Sequence, residues 1–407
     1  MSWMAKWAGG FPVFFREASG ASVVDVDGFE YVDFCLGDTG AMAGHAPAPV
    51  VEAVAAQAAR GVTAMLPSED AAWAGEELGR RFGLPYWQFA LTATDANRWL
   101  LRIAREITQR PYVLVFDYCY HGTVDEALAS RDGRRTVARA GNVGPPVDPA
   151  ATTKVVQFND VDELGAALAP GDVACVLTEP ALTNIGIVLP EPGFHDALRE
   201  LTRRSGTLLV IDETHTFSAG PGGFTRAHGL EPDALAIGKA IAGGVPAAAY
   251  GVSEEVAARM FARKEADYED VGGIGGTLAG NALSLAATRA TLAHVLTVES
   301  FERMISLAET FAADVDEVIA EAGLPWHILR LGCRSEYRFQ PSPPRNGAEA
   351  AAAAVPELED FMHAFALNRG VLLTPFHNMA LMCPQTTEAD IGRHSEVFAE
   401  AVAELRS

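Results

Sequence analysis

Cysteine is sparse in this 407-residue chain, and its arrangement excludes more than its number does. Cys35, Cys119, Cys175, Cys333 and Cys383 are odd in number and form no CxxC, so neither a disulfide framework nor a zinc knuckle is indicated, and no metal is expected. They fall mostly in apolar runs, where cysteine acts as a small core residue. Positive charge is also scarce: 31 Lys and Arg face 53 Asp and Glu, for a net charge of -22. A nucleic-acid partner needs a basic face, so that class is set aside. No apolar run approaches a membrane span, and the opening "MSWMAKWAGG" lacks the apolar core of a leader. A cytoplasmic protein with no membrane partner is the expectation.

What the chain does have is an ordinary globular composition, 49% hydrophobic and 21% charged, long enough for one to three domains and a sizeable core. "SVVDVDGFEYVDFCL" (22–36) sets two β-rich runs around Asp27-Gly28, a hairpin signal. Helical stretches follow from about Ala48 and Ser68. The middle alternates short apolar runs (Val113–Phe116, Val173–Leu177, Leu208–Ile211, Ala234–Ile237, Ala248–Val252) with helical patterns (Ala96–Thr108, Val161–Leu168, Phe194–Arg203). Near-continuous apolar runs suit strands buried on both faces, and the alternation predicts an α/β fold with a mostly parallel sheet. The last hundred or so residues carry β signals near Ser335–Phe339 and Val371–Thr374 and a helix from Glu357 to Arg369. "PSPPRNGAEAAAAAVP" (341–356) reads as a surface excursion. The expected organisation is a large domain over 48–295 and a smaller α+β domain built from 1–47 and 296–407.

In such sheets ligands bind beyond the carboxyl ends of the strands. Two residues there are costly to bury. Asp212 follows "GTLLVI", and Lys239 follows "DALAIG". A structural salt bridge between them is the plain account. The sharper one is a cofactor with two ends, an aldehyde for the lysine and a ring nitrogen for the aspartate, and pyridoxal 5'-phosphate has both. A lysine in apolar surroundings loses its proton more readily and becomes the nucleophilic amine.

Taken together the chain resembles the class III pyridoxal-phosphate-dependent aminotransferases of fold type I, nearest the glutamate-1-semialdehyde 2,1-aminomutase branch. "IGKAIAGGVP" is similar to the family's G-K-x-x-G-G-G-x-P, which implies that Lys239 is the Schiff-base lysine. The "DE" after the strand implies that Asp212 partners the pyridine nitrogen. "YHG" (Tyr120, His121, Gly122) matches the element whose aromatic ring stacks on the cofactor. "LTATDANRWLLRIAR" stands where the family has S-G-T-E-A, so Ala93, Thr94 and Asp95 are implied phosphate contacts at a helix N-terminus. Glu179 and Asn184, in "EP" and "TNIG", resemble a further element near the ring. "GGTLAGNALSLAA" resembles G-G-T-x-x-G-N-P-L, by which Gly276 and Thr277 reach the phosphate of the neighbouring subunit in a homodimer.

The departures are local. Ala93 replaces a glycine, Thr214 and His215 follow "DE" where the family usually packs a valine on the ring, and "SAGPGG" stands where an arginine is usual. They touch substrate recognition more than cofactor chemistry. Arg226, Arg334 and Arg338 are the candidates for a substrate carboxylate, each also readable as a solvated surface arginine. The resemblance implies an aminotransferase moving an amino group between an amino acid or amine and a keto acid or aldehyde. An aminomutase, moving it within one substrate, is the runner-up, and a decarboxylating variant uses the same parts. A nicotinamide-dependent dehydrogenase would need G-x-G-x-x-G after an early strand, and "VGGIGGTLAG" follows no clear strand. A non-catalytic homologue has no reason to keep both Lys239 and Asp212.

Overall fold

The structure is a computed structural model that describes residues 12–263 and 275–407. The opening stretch Met1–Gly10 and residues 271–274 of the glycine cluster lie outside them. The central sheet has seven strands, in spatial order Tyr86–Ala90, Ala248–Val252, Ala234–Ile237, Leu208–Asp212, Val173–Thr178, Tyr112–Phe116 and Thr153–Val156. All run parallel except Ala248–Val252, which is antiparallel to both neighbours. Every residue of Val173–Thr178, Leu208–Asp212, Ala234–Ile237 and Ala248–Val252 is buried. That is why their sequences run apolar without alternation. The helix Ala93–Thr108 crosses this sheet, burying Leu100, Leu101, Ile103, Ala104 and Ile107 on its apolar stripe.

The fold is the α/β architecture expected: the five apolar runs are all strands within one residue of their expected bounds, two of the three helices fall within two, and the helix expected from Ala96 begins three residues earlier at Ala93. Two sheet-edge strands escape the apolar-run criterion. "YWQFA" (Tyr86–Ala90) carries a glutamine and an exposed tyrosine, and "TKVV" (Thr153–Val156) carries a lysine. Edge strands need not be apolar throughout. The stretch 341–356 is not a mere surface excursion: it contains the helix Gly347–Ala352, whose Ala350 is fully buried.

Two smaller sheets lie beyond the central one. Phe15–Ser19, Ser22–Asp25 and Glu30–Asp33 form a meander around Gly28, and Val371–Leu372 pairs in parallel with Val32–Asp33, which joins the two ends of the chain. His327–Leu331, Arg334–Arg338 and Met379–Leu381 form an antiparallel trio. On the middle strand the side chains alternate. Ser335 donates to Ala308 O on the long helix Val298–Ala322, and Tyr337 packs edge-on against Phe398. Arg334, Glu336 and Arg338 share the opposite face.

The turn at Gly332 fixes that face against the central sheet. Gly332 has φ +61, and the loop after Asp212 lies so close that a Cβ there would sit 2.1 Å from Ser218 O. Cys333 N donates to Ser218 O at 2.9 Å, and Ser218 Oγ donates to Leu331 O at 3.1 Å. Gly332→Ala combines left-handed backbone with overpacking. It is expected to cost about 2 kcal/mol or more of stability, read as a lowered midpoint in thermal or denaturant unfolding.

Candidate active site

The strand Leu208–Asp212 delivers Asp212 to the carboxyl edge of the sheet, beside Ala234–Ile237 in register Asp212↔Ala236. Its carboxylate is buried and fully engaged. Oδ2 accepts from Asn97 Nδ2 at 2.7 Å and pairs with His121 Nδ1 at 2.9 Å; Oδ1 accepts from Thr214 Oγ1 at 2.6 Å and Thr214 N at 3.1 Å. Burial opposes the charge, but His121, Thr214 and Asn97 outweigh it and hold the carboxyl below its ordinary range. Burial likewise opposes a charged His121. The thiol of Cys119 and the hydrogen bond to Asp212 overcome it and lift the imidazole to about 10. The aspartate and histidine form a buried ion pair. Asn97 was not singled out in the sequence; its signal is position, one turn into the helix whose first residues match the phosphate loop.

That helix opens at Ala93, capped by Thr92, whose Oγ1 accepts from Asp95 N at 3.1 Å and donates to Asp95 Oδ2 at 2.8 Å. The N–H groups of Ala93 and Thr94 head the helix without intrahelical acceptors, with the positive end of its dipole behind them. Two glycines shape the ground in front. A Cβ on Gly122 would fall 1.9 Å from Thr94 Oγ1, and one on Gly238 would fall 3.1 Å from Ala93 Cβ and 3.2 Å from Ala93 N. Gly238 immediately precedes Lys239, so the lysine backbone abuts the helix N-terminus. Asp95 faces the cap rather than the cradle.

Lys239 and Asp212 are not an ion pair with each other. Lys239 Nζ donates to Asp38 Oδ2 at 2.7 Å and lies 2.8 Å from His215 Nε2. His215 Nδ1 lies 3.0 Å from Thr39 Oγ1 and 3.3 Å from Arg334 Nη1. Burial first, and then the Lys239 charge, push the His215 pKa well below its ordinary value, so the ring is neutral. The sequence reading missed Asp38 and Thr39. They sit in "LGDTG" next to the hairpin, 201 positions from the lysine in the case of Asp38, and no local signal ties them to it.

Tyr120, Glu179 and Asn184 gather on the same edge. Tyr120 leaves 39% of its surface exposed. Glu179 is buried, its Oε2 accepts from Thr183 N and Thr183 Oγ1, and burial raises its pKa. Asn184 donates to Tyr118 O at 3.4 Å. Gly276 and Thr277 are exposed, ahead of the helix Ala282–His294.

The three candidate arginines separate. Arg226 is exposed on the short helix Gly223–Ala227. Arg338 is buried, not solvated. It donates to Ile185 O at 3.1 Å and Ala350 O at 2.7 Å, against Gly186, where a Cβ would meet Nη1 at 2.7 Å. It is a clamp on the 184–186 turn, with Nη1 and Nη2 each engaged by a backbone carbonyl. Arg334 is also fully buried, and its Nε and Nη2 have no partner. It stands next to His215, which in turn contacts Lys239, so a buried guanidinium with free donors lies one residue away from the lysine.

The His121–Asp212 pair has a pH signature. A histidine raised from 6.5 to about 10 stabilises the fold fully below pH 6.5 and loses that contribution as pH rises through about 10. Between pH 7 and 9 wild-type stability is expected to fall by up to about 1.4 kcal/mol per pH unit more than that of His121→Gln, checked by denaturant unfolding at each pH.

Comparison with known proteins is consistent with this arrangement. A family model described as Aminotransferase class-III matches residues 3–400. The glutamate-1-semialdehyde 2,1-aminomutase of Acidobacterium capsulatum is 35% identical over 378 residues, covering 90% of this chain and 86% of that one. Among solved structures, a glutamate-1-semialdehyde-aminomutase (K286A) from Pseudomonas aeruginosa PAO1 in complex with PMP superposes with a TM-score of 0.96 at 52% identity, over 99% of this chain and 90% of that one. An omega-transaminase from Sphaerobacter thermophilus superposes at 0.90 with 29% identity, over 98% and 93%. The chain belongs to the class III aminotransferase family.

Proposed function

We propose that the protein binds pyridoxal 5'-phosphate at Lys239 and moves an amino group between two carbons of one carboxylate-bearing substrate. The carrying observation is the contact of Gly238 with Ala93. It sets an amine and an anion-binding helix end side by side, and the same helix, one turn on, steadies Asp212 through Asn97. Sequence alone puts transfer between two molecules first. The aminomutase relatives at 35% and 52% identity favour the intramolecular reaction, so the order is reversed here.

The residues present fit that cofactor. Ala93 and Thr94 N–H groups and Thr94 Oγ1 would take the phosphate, in the cradle left by Gly122 and Gly238. Asp212 would face the ring nitrogen, Tyr120 would cover a ring face, and Thr214, His215, Glu179 and Asn184 would border it. When bound, the cofactor supplies an aldehyde for amines and a ring that accepts the electrons of a broken C–H bond. Asp212, kept ionised by His121, Asn97 and Thr214, would hold the ring nitrogen protonated. Lys239 Nζ, once free, would shuttle the proton between the substrate carbon and the cofactor. Arg334 would orient the substrate through its carboxylate. Gly276 and Thr277 would serve the phosphate of a second copy in a homodimer, and the chain would divide near residues 47 and 295.

Three outcomes test this reading. The purified protein with pyridoxal 5'-phosphate is expected to show a visible absorption band that Lys239→Ala abolishes; a band that survives the substitution overturns the role of Lys239. A single substrate isomerised with no added amino acceptor supports the mutase, whereas strict demand for an acceptor establishes transamination between two molecules. Asp212→Asn is expected to lower kcat on the order of a hundredfold or more, as loss of a preorganised charge at the reacting centre does.

A further inference from the structure

The segment "LGDTG" is an unusual piece of backbone. Leu36, Gly37, Asp38 and Thr39 have φ of 45°, 58°, 51° and 79°, all in the left-handed region. For the non-glycine residues that costs about 1 kcal/mol or more each and persists only where the surroundings enforce it. They do enforce it. Asp33 Oδ1 accepts from Cys35 N at 2.7 Å and Leu36 N at 2.9 Å, and Asp33 Oδ2 is tied to His45. Asp38 N and Ala41 N close further turns onto Cys35 O and Leu36 O. The result of this outlay is one placement: a carboxylate on Lys239 Nζ.

The carboxylate is half used. Oδ2 takes the lysine, and Oδ1 is buried with no partner. The groups facing it are Lys239, His215 and Arg334, with Asp212 beyond His215. Burial raises the Asp38 carboxyl, but its neighbours His215, Lys239 and Arg334 together outweigh this and hold it well below the ordinary range. His215 stands between the two cations, with Nε2 2.8 Å from Lys239 Nζ and Nδ1 3.3 Å from Arg334 Nη1. Arg334 Nε and Nη2 have no partner. One wall of the cluster therefore offers an unused carboxylate oxygen on Asp38 and two unused guanidinium nitrogens on Arg334.

We propose that Asp38 is a positioning residue for amines: it holds the Lys239 ammonium and, when that nitrogen is engaged, offers the same oxygens to the ammonium of the incoming substrate, whose carboxylate Arg334 takes. The substrate class follows as a zwitterion, with amine and carboxylate both read from the side of residues 36–39 and 334. This rests on the cofactor reading above.

The test is capture of pyridoxal 5'-phosphate by cofactor-free, full-length protein, followed by absorbance from pH 6 to 10. In that step the Nζ lone pair adds to the aldehyde carbon. The aldehyde oxygen leaves as water with two hydrogens of the amine, and the ammonium's third proton goes to solvent. Removing the carboxylate destabilises the ammonium, so Asp38→Asn is expected to move the midpoint of the rate profile down by about one pH unit or more. Asparagine accepts left-handed backbone, so the turn survives. Asp38→Glu keeps the charge and is expected to stay near the wild-type midpoint. In loaded enzyme Asp38→Asn should raise KM for the amino substrate about tenfold with a smaller change in kcat. An unchanged midpoint in Asp38→Asn, or a shift shared equally by both variants, overturns the assignment. A wild-type protein that develops no Lys239-dependent band overturns the cofactor reading instead, and the assignment with it.

Discussion

A buried carboxylate organises this molecule. Asp212 sits at the end of a strand with no exposed residue, and taking such a charge out of water costs several kcal/mol unless donors replace the solvent. Four do so, from three parts of the chain: Asn97 on the helix Ala93–Thr108, His121 in the turn after Tyr112–Phe116, and Thr214 just past the strand itself. Satisfying one acid thus fixes the position of the helix N-terminus, the turn carrying Tyr120 and the loop carrying His215. The elements around the site are registered to one another because they are registered to Asp212.

The second charge centre is built across the chain instead of along it. Lys239 comes from the central sheet, Asp38 and Thr39 from the N-terminal meander, and Arg334 from the antiparallel trio near the other end. His215 touches Lys239, Thr39 and Arg334. The first centre draws only on the central sheet and the elements packed against it, whereas the second needs three separate pieces of the fold.

Much of the first centre is legible in the sequence. Apolar runs longer than an exposed strand tolerates give the parallel sheet, and a lysine and an aspartate directly after two of them stand out as costs needing a reason. Motif order then carries Ala93, Thr94, Tyr120 and His121. The second centre is not legible. Nothing in "LGDTG" announces backbone with four consecutive positive φ values, because only two of its five residues are glycine. The arginines show the same limit. Period two correctly puts Arg334 and Arg338 on one face, yet burial, free donors and the clamp on Ile185 O and Ala350 O depend on what lies opposite, which spacing does not encode.

The tight seat of Gly332 against Ser218 gives the strand Arg334–Arg338 the character of an exchangeable cassette. Its odd positions, Ser335 and Tyr337, are committed to the long helix and to Phe398, and its turn is committed to the loop after Asp212. Position 334 carries neither commitment. A side-chain exchange at 334 would therefore leave both packing commitments, and the backbone register of the strand, in place.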